Sequence, residues 1–183
     1  MITKMEILDA LPRIETGLQQ YSEIQKMFKE VEDISQDREF QRAFNRFYRV
    51  RIKKDHQEAF FGIMQAEKNN KNILFKDTLR KVYEITGKCE TSFVSKLVAT
   101  IDDTKPIVDR FVLKNMGLHL SSSINIDTRI KENIRVYIQL MREYAEIENS
   151  EIGEFLFTQF KERYGNFDVS KTKMIDFVLW QLR

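Results

Sequence analysis

The 183 residues carry 30 Lys and Arg against 28 Asp and Glu, a formal net charge of +2, so bulk charge makes no case for a polyanionic partner and only a local concentration of charge can. With 42% hydrophobic and 32% charged residues the chain is neither a disordered nor a low-complexity polymer. Its single cysteine, Cys89, excludes an internal disulfide framework and a structural zinc site built from several thiolates.

Six Gly and two Pro leave few breaks, and apolar residues recur at helical spacing while strict alternation is rare. The pattern predicts an all-α protein of eight or nine helices, a single domain over 1–183 with room for two lobes around a cleft. A first helix is expected over 14–31, with Ile14, Leu18, Tyr21, Ile24 and Phe28 on one face. A second covers 39–52 and a third 57–66. KNNKN (68–72) is a polar loop, and a fourth helix over 75–85 ends before Gly87. The turn GKCET (87–91) leads to a fifth helix from Ser92 to Ile101. Asp109 opens a sixth, which Gly117 stops. Asp127 is expected to cap a long helix to about Ile147, Asn149 or Ser150 the next, and Ser170 the last. That last helix reads as a structural clamp, with Met174, Ile175, Val178, Leu179 and Leu182 on its core face. No stretch approaches the ~20 apolar residues of a membrane helix. The start has no apolar run of signal-peptide length, so the expected setting is the cytoplasm, with no membrane partner.

Signatures of catalysis are sparse. There is no Gly-rich phosphate loop, and His56 and His119 lie far apart with no second ligand at metal spacing, so neither a cofactor nor a metal is expected. Cys89 precedes a helix N-terminus without a neighbouring His, and reads as a small turn residue. The segment FQRAFNRFYRVRIKK (40–54) holds six cations and no acid. Arg42, Arg46 and Arg49, at spacings of four and three, share one helical face backed by aromatics. Such a stripe suits phosphate, unless it is a solvated face partnered by acidic runs such as EVED (30–33).

The richest stretch is ITGKCETSFVSKLVATIDDTKPIVDRFV (85–112): two helices around a tight turn at Gly87, then a loop that delivers Asp109 to a helix start. Backbone N–H groups at such a turn and helix N-terminus can hold a phosphate. In Ile85-Thr86-Gly87-Lys88-Cys89, the helix from Ser92, and Val108-Asp109-Arg110-Phe111-Val112, the chain resembles the helix-hairpin-helix DNA glycosylase superfamily, and the hairpin-to-Asp separation matches without a gap. The resemblance covers about 30 residues. The phrases SFVSKL, PIVDRFVLKNMGL and KMIDFVLWQLR are also similar to a group of small uncharacterised bacterial proteins.

The resemblance implies a DNA-glycosylase-like fold, a DNA partner and a catalytic Asp109, whose carboxylate stabilises positive charge on the sugar as the base departs. The backbone from Gly87 through Thr91 to Ser92 would hold one phosphate, and Arg42, Arg46, Arg49 and Lys88 others. Phe111, Phe93, Tyr137 or Trp180 are the candidates to line a pocket for the flipped base. Four departures shape the expectation. Cys89 replaces the second hairpin glycine and Thr86 the proline. Thr91 stands where strand-cutting members carry the Schiff-base lysine, and Lys96, more than a turn further on, is a poor substitute. No four-cysteine tail is present. The implied enzyme is therefore a monofunctional glycosylase. The alternative is a non-catalytic helical module that binds DNA or a protein.

Overall fold

The computed structural model describes residues 2–50 and 54–182, without the side chains of residues 54 and 55. Among the described residues the chain is all-helical, with ten α-helices, one 3-10 turn and no strand. The helices are α1 (Lys4–Ala10), α2 (Glu15–Glu30), α3 (Arg38–Phe47), α4 (Lys54–Glu67), α5 (Phe75–Thr86), α6 (Thr91–Ile101), α7 (Arg110–Asn115), α8 (Ile126–Glu148), α9 (Glu151–Tyr164) and α10 (Lys171–Gln181). No described helix is long and apolar enough to cross a membrane.

The expected count of eight or nine helices falls short by α1. At seven residues this helix is too short to show an apolar period, but Thr3 and Glu6 form a reciprocal capping box that starts it. Short polar side chains begin most of the others. Asp37, Asp109, Asn125, Ser150 and Ser170 each accept a hydrogen bond from a backbone N–H in the first turn. The long helix α8 is thus capped by Asn125, two residues before the expected Asp127. Gly87 ends α5 at φ 65°, a left-handed conformation that costs glycine nothing. Gly153 answers a different need, since a Cβ there would sit 1.9 Å from the Ile147 carbonyl oxygen at the tight passage from α8 to α9.

The second predicted helix, 39–52, ends early, at Phe47. Val50 N–H donates to Asn45 O at 2.9 Å and Arg49 N–H to Arg46 O at 3.4 Å, the paired bonds of a Schellman turn. That turn needs a left-handed residue after the cap. Glycine is usual there, and here Arg49 fills the place at φ 52°. Arg49 therefore leaves the helical face that holds Arg42 and Arg46. Arg51, Lys53 and the Lys54 side chain lie outside the described residues.

α10 is the hub, packing on α1, α7, α8 and α9. Eight consecutive residues, Thr172–Leu179, are buried, so this helix has no solvent face over that stretch. Two of them are charged. Lys173 is 1% and Asp176 0% exposed, and they pair at 2.6 Å. Buried hydrophobic residues from α1 through α10 join one core cluster around this helix.

Candidate functional site

The loop from Asp102 to Asp109 is tied down along its length by α10, α8 and α6. From α10, Ser170 Oγ donates to Asp103 O at 2.6 Å, Thr172 Oγ1 to Thr104 O at 3.2 Å and Lys173 Nζ to Lys105 O at 3.1 Å. Tyr137 in α8 reaches Pro106 O at 3.4 Å. Ile107 N–H donates to Asp176 Oδ1 at 3.4 Å, and the same oxygen accepts from Tyr144 at 2.7 Å. On the α6 side, Ser95 Oγ accepts from Val108 N–H at 2.9 Å and Ser92 Oγ donates to Val108 O at 2.8 Å. Burial pushes the Asp176 carboxyl above its usual range even with Lys173 beside it, and burial followed by the Asp176 charge pushes the Tyr144 phenol up.

This strap carries Asp109. Its side chain is half-buried, and Oδ1 accepts from Phe111 N–H at 2.8 Å, so it caps α7. Asp109 also lines a cavity of about 340 Å³ together with Phe47, Tyr48, Phe111, Phe177, Trp180, Gly17, Gln20, Gln181, Arg49 and Lys96. Capping and facing a cavity are thus combined in one side chain. Of the four aromatic candidates, Phe111 and Trp180 line this space. Phe93 lies beside the Lys96 ammonium, and Tyr137 is buried, stacked on Phe75 at 3.8 Å between ring centroids.

Lys96 was not expected here. One helical turn beyond Ser92, it points back along α6 and donates to Ser92 Oγ at 3.1 Å. Burial lowers its pKa, with Asp109 pulling the other way. A lysine inside the apolar run SFVSKLVATI was the signal in the sequence, since a charge in such a run is either solvent-facing or held at a site.

The hairpin residues fall into two groups. Gly87 and Lys88 are exposed. Thr91 is buried, and its hydroxyl accepts from Asn133 Nδ2 at 3.0 Å. Ser92 uses its hydroxyl on the strap and on Lys96, which leaves its backbone N–H for any ligand. No side chain caps α6 at Glu90, so the first N–H groups of that helix lack partners of their own. A second cavity, of about 380 Å³, opens there between Cys89–Ser92 and the wall formed by Ser121, Ser122 and Arg129. Among the described residues no cluster of three or more His, Cys, Asp or Glu is placed to hold a metal ion.

Arg42, Arg46 and Arg49 are all exposed and form no ion pair among the described residues. The acidic run at 30–33 does not neutralise them. Arg42 and Arg46 remain on the outer face of α3, whereas Arg49 reaches the wall of the Asp109 cavity. A non-glycine residue in the left-handed region is strained by about 1 kcal/mol or more, and such strain clusters at functional positions. Arg49→Gly is expected to raise stability by about 0.5–1 kcal/mol. Thermal unfolding checks the sign. A variant that loses stability would mean that the side chain serves the fold instead.

Compared with known proteins, the chain matches no family model, no curated protein and no solved structure.

Proposed function

We propose that this chain is a monofunctional DNA base-excision glycosylase or a diverged relative, with a DNA-glycosylase-like arrangement of α5, its turn and α6. It hydrolyses the N-glycosidic bond of a modified base turned out of the duplex into the cavity beside Asp109. The observation that carries this reading is the Asp109 carboxylate at the wall of an aromatic-lined space of about 340 Å³. That volume falls at the lower end of the roughly 300–1,000 Å³ of small-ligand sites.

Each step has a residue to serve it. A base leaving its sugar builds positive charge at C1′, and the Asp109 carboxylate stabilises that charge and orients the attacking water. Phe111 N–H fixes one oxygen of the carboxylate, so little reorganisation is needed at the moment of reaction. The rings of Phe47, Phe111 and Trp180 offer faces for the extruded base. The turn from Gly87 to Ser92, with the uncapped N-terminus of α6, holds one phosphate, and Lys88, Arg42, Arg46 and Arg49 bind others.

A panel of duplexes carrying single modified bases, scored for abasic sites, tests the reading. One duplex should yield abasic sites without strand cleavage. The Arg42→Gln, Arg46→Gln double variant should lower the slope of log K against log salt by about two, one for each lost phosphate contact. Salt-dependent binding without base release on any duplex would favour a non-catalytic DNA-binding module. Negligible DNA affinity at low salt would point to a protein partner.

A further inference from the structure

The cavity beside Asp109 holds a cation that the reaction above does not use. Lys96 is 7% exposed and forms no ion pair among the described residues. Its ammonium bonds to Ser92 Oγ at 3.1 Å and lies 5.4 Å from the centroid of the Phe93 ring. Arg49 brings a second positive group to the same wall, and Asp109 is the one carboxylate among the described residues that line it. One oxygen of that carboxylate is already occupied by Phe111 N–H. Trp180, also in the wall, has a buried indole N–H with no acceptor, and an indole can only donate. The wall therefore offers an excess of donors and of positive charge.

We propose that this cavity selects a planar heteroaromatic ring that is uncharged or anionic and presents carbonyl or deprotonated nitrogen acceptors to Lys96, and that it rejects a ring bearing a fixed positive charge. The inference rests on the reading of the cavity as a base pocket and narrows its substrate class. Carbonyl-rich oxidised or deaminated bases fit, and cationic N-alkylated purines do not. Aromatic walls alone would attract a cation. Neutral rings gain from the same walls by stacking, so the walls separate the two classes weakly. Repulsion from a buried ammonium acts on the cation alone and is little screened by water.

The single tryptophan of the chain is Trp180, so its fluorescence reports occupancy of the cavity without DNA and without turnover. The intact protein is titrated at neutral pH with uridine, with xanthosine, which is already largely anionic there, and with 1-methyladenosine, which is still a cation there. Uridine and xanthosine should give saturable changes, with 1-methyladenosine weaker by on the order of tenfold or more. Lys96→Met should erase that difference and Lys96→Arg should keep it. The Met variant removes a buried unpaired charge, so it is expected to fold, and circular dichroism of both variants verifies this.

Equal or tighter binding of 1-methyladenosine, unchanged discrimination in the folded Met variant, or no response to any nucleoside would each overturn the proposal. The duplex panel separates this outcome from failure of the underlying reading. Base release from a 7-methylguanine duplex alone would uphold the glycosylase and overturn the substrate class. Nucleoside discrimination without base release from any duplex would uphold the ring preference and remove the glycosylase.

Discussion

Asp109→Asn is expected to reduce base release by about a hundred- to a thousandfold, or more, while DNA affinity stays within about twofold. The substitution isolates charge from architecture. Asn and Asp are nearly equal as helix N-caps, so the side-chain oxygen can still accept from Phe111 N–H and α7 should begin at the same place. Only the negative charge at the cavity wall is lost. Asp109→Ala removes the cap as well and should lower stability by about 1 kcal/mol, or roughly 3 °C in Tm for a chain of this size. Single-turnover kinetics on the duplex that yields abasic sites, run beside thermal unfolding of both variants, gives the comparison. An Asn variant with full activity would reduce Asp109 to a capping residue and end the enzymatic reading.

A second large effect is expected in α10. Asp176→Ala should cost about 3–5 kcal/mol, since it leaves the Lys173 ammonium buried with no counter-charge. Tm should fall by roughly 10 °C. The Tyr144 hydroxyl and the Ile107 N–H would lose their shared acceptor, so the strap carrying Asp109 would loosen together with the fold. The Lys173→Met, Asp176→Leu double variant should recover most of the lost stability, because a well-packed apolar pair avoids the desolvation of two ions. It would not restore the bond to Ile107. Denaturant unfolding of the single and double variants measures both steps. A loss under about 1 kcal/mol in the single variant would contradict the pairing of these groups in the core.

Much of the architecture was legible from the chain because it is written in local chemistry. Apolar residues at helical spacing located nine helices, Ser170 marked its own helix start, and of the two candidates Asn149 and Ser150 the cap is Ser150. Asp109 was identified as a helix start, and its preference as a cap stands whatever its second role. Gly87 ended α5 because only glycine enters the left-handed region freely. The partner of the Thr91 hydroxyl, by contrast, was not legible, since it is buried against Asn133. A spacing rule cannot see a partner 42 residues away.

The sequence by itself determined the all-α class, the caps at Asp109 and Ser170 and the turn between α5 and α6, since each depends on a few neighbouring residues and on backbone hydrogen bonds within one turn. The tertiary structure alone decided three things. Arg49, turned off the α3 face by its local Schellman turn, meets Lys96 and Asp109 at one cavity wall only when the helices pack. Lys96 and Asp109 face one cavity because two serines of α6 stitch the strap to that helix. Lys173 and Asp176 can be buried because they pair with each other and meet the strap's backbone. Charge burial and cavity walls arise where distant segments meet, and those meetings follow from packing, which no local pattern in the chain encodes.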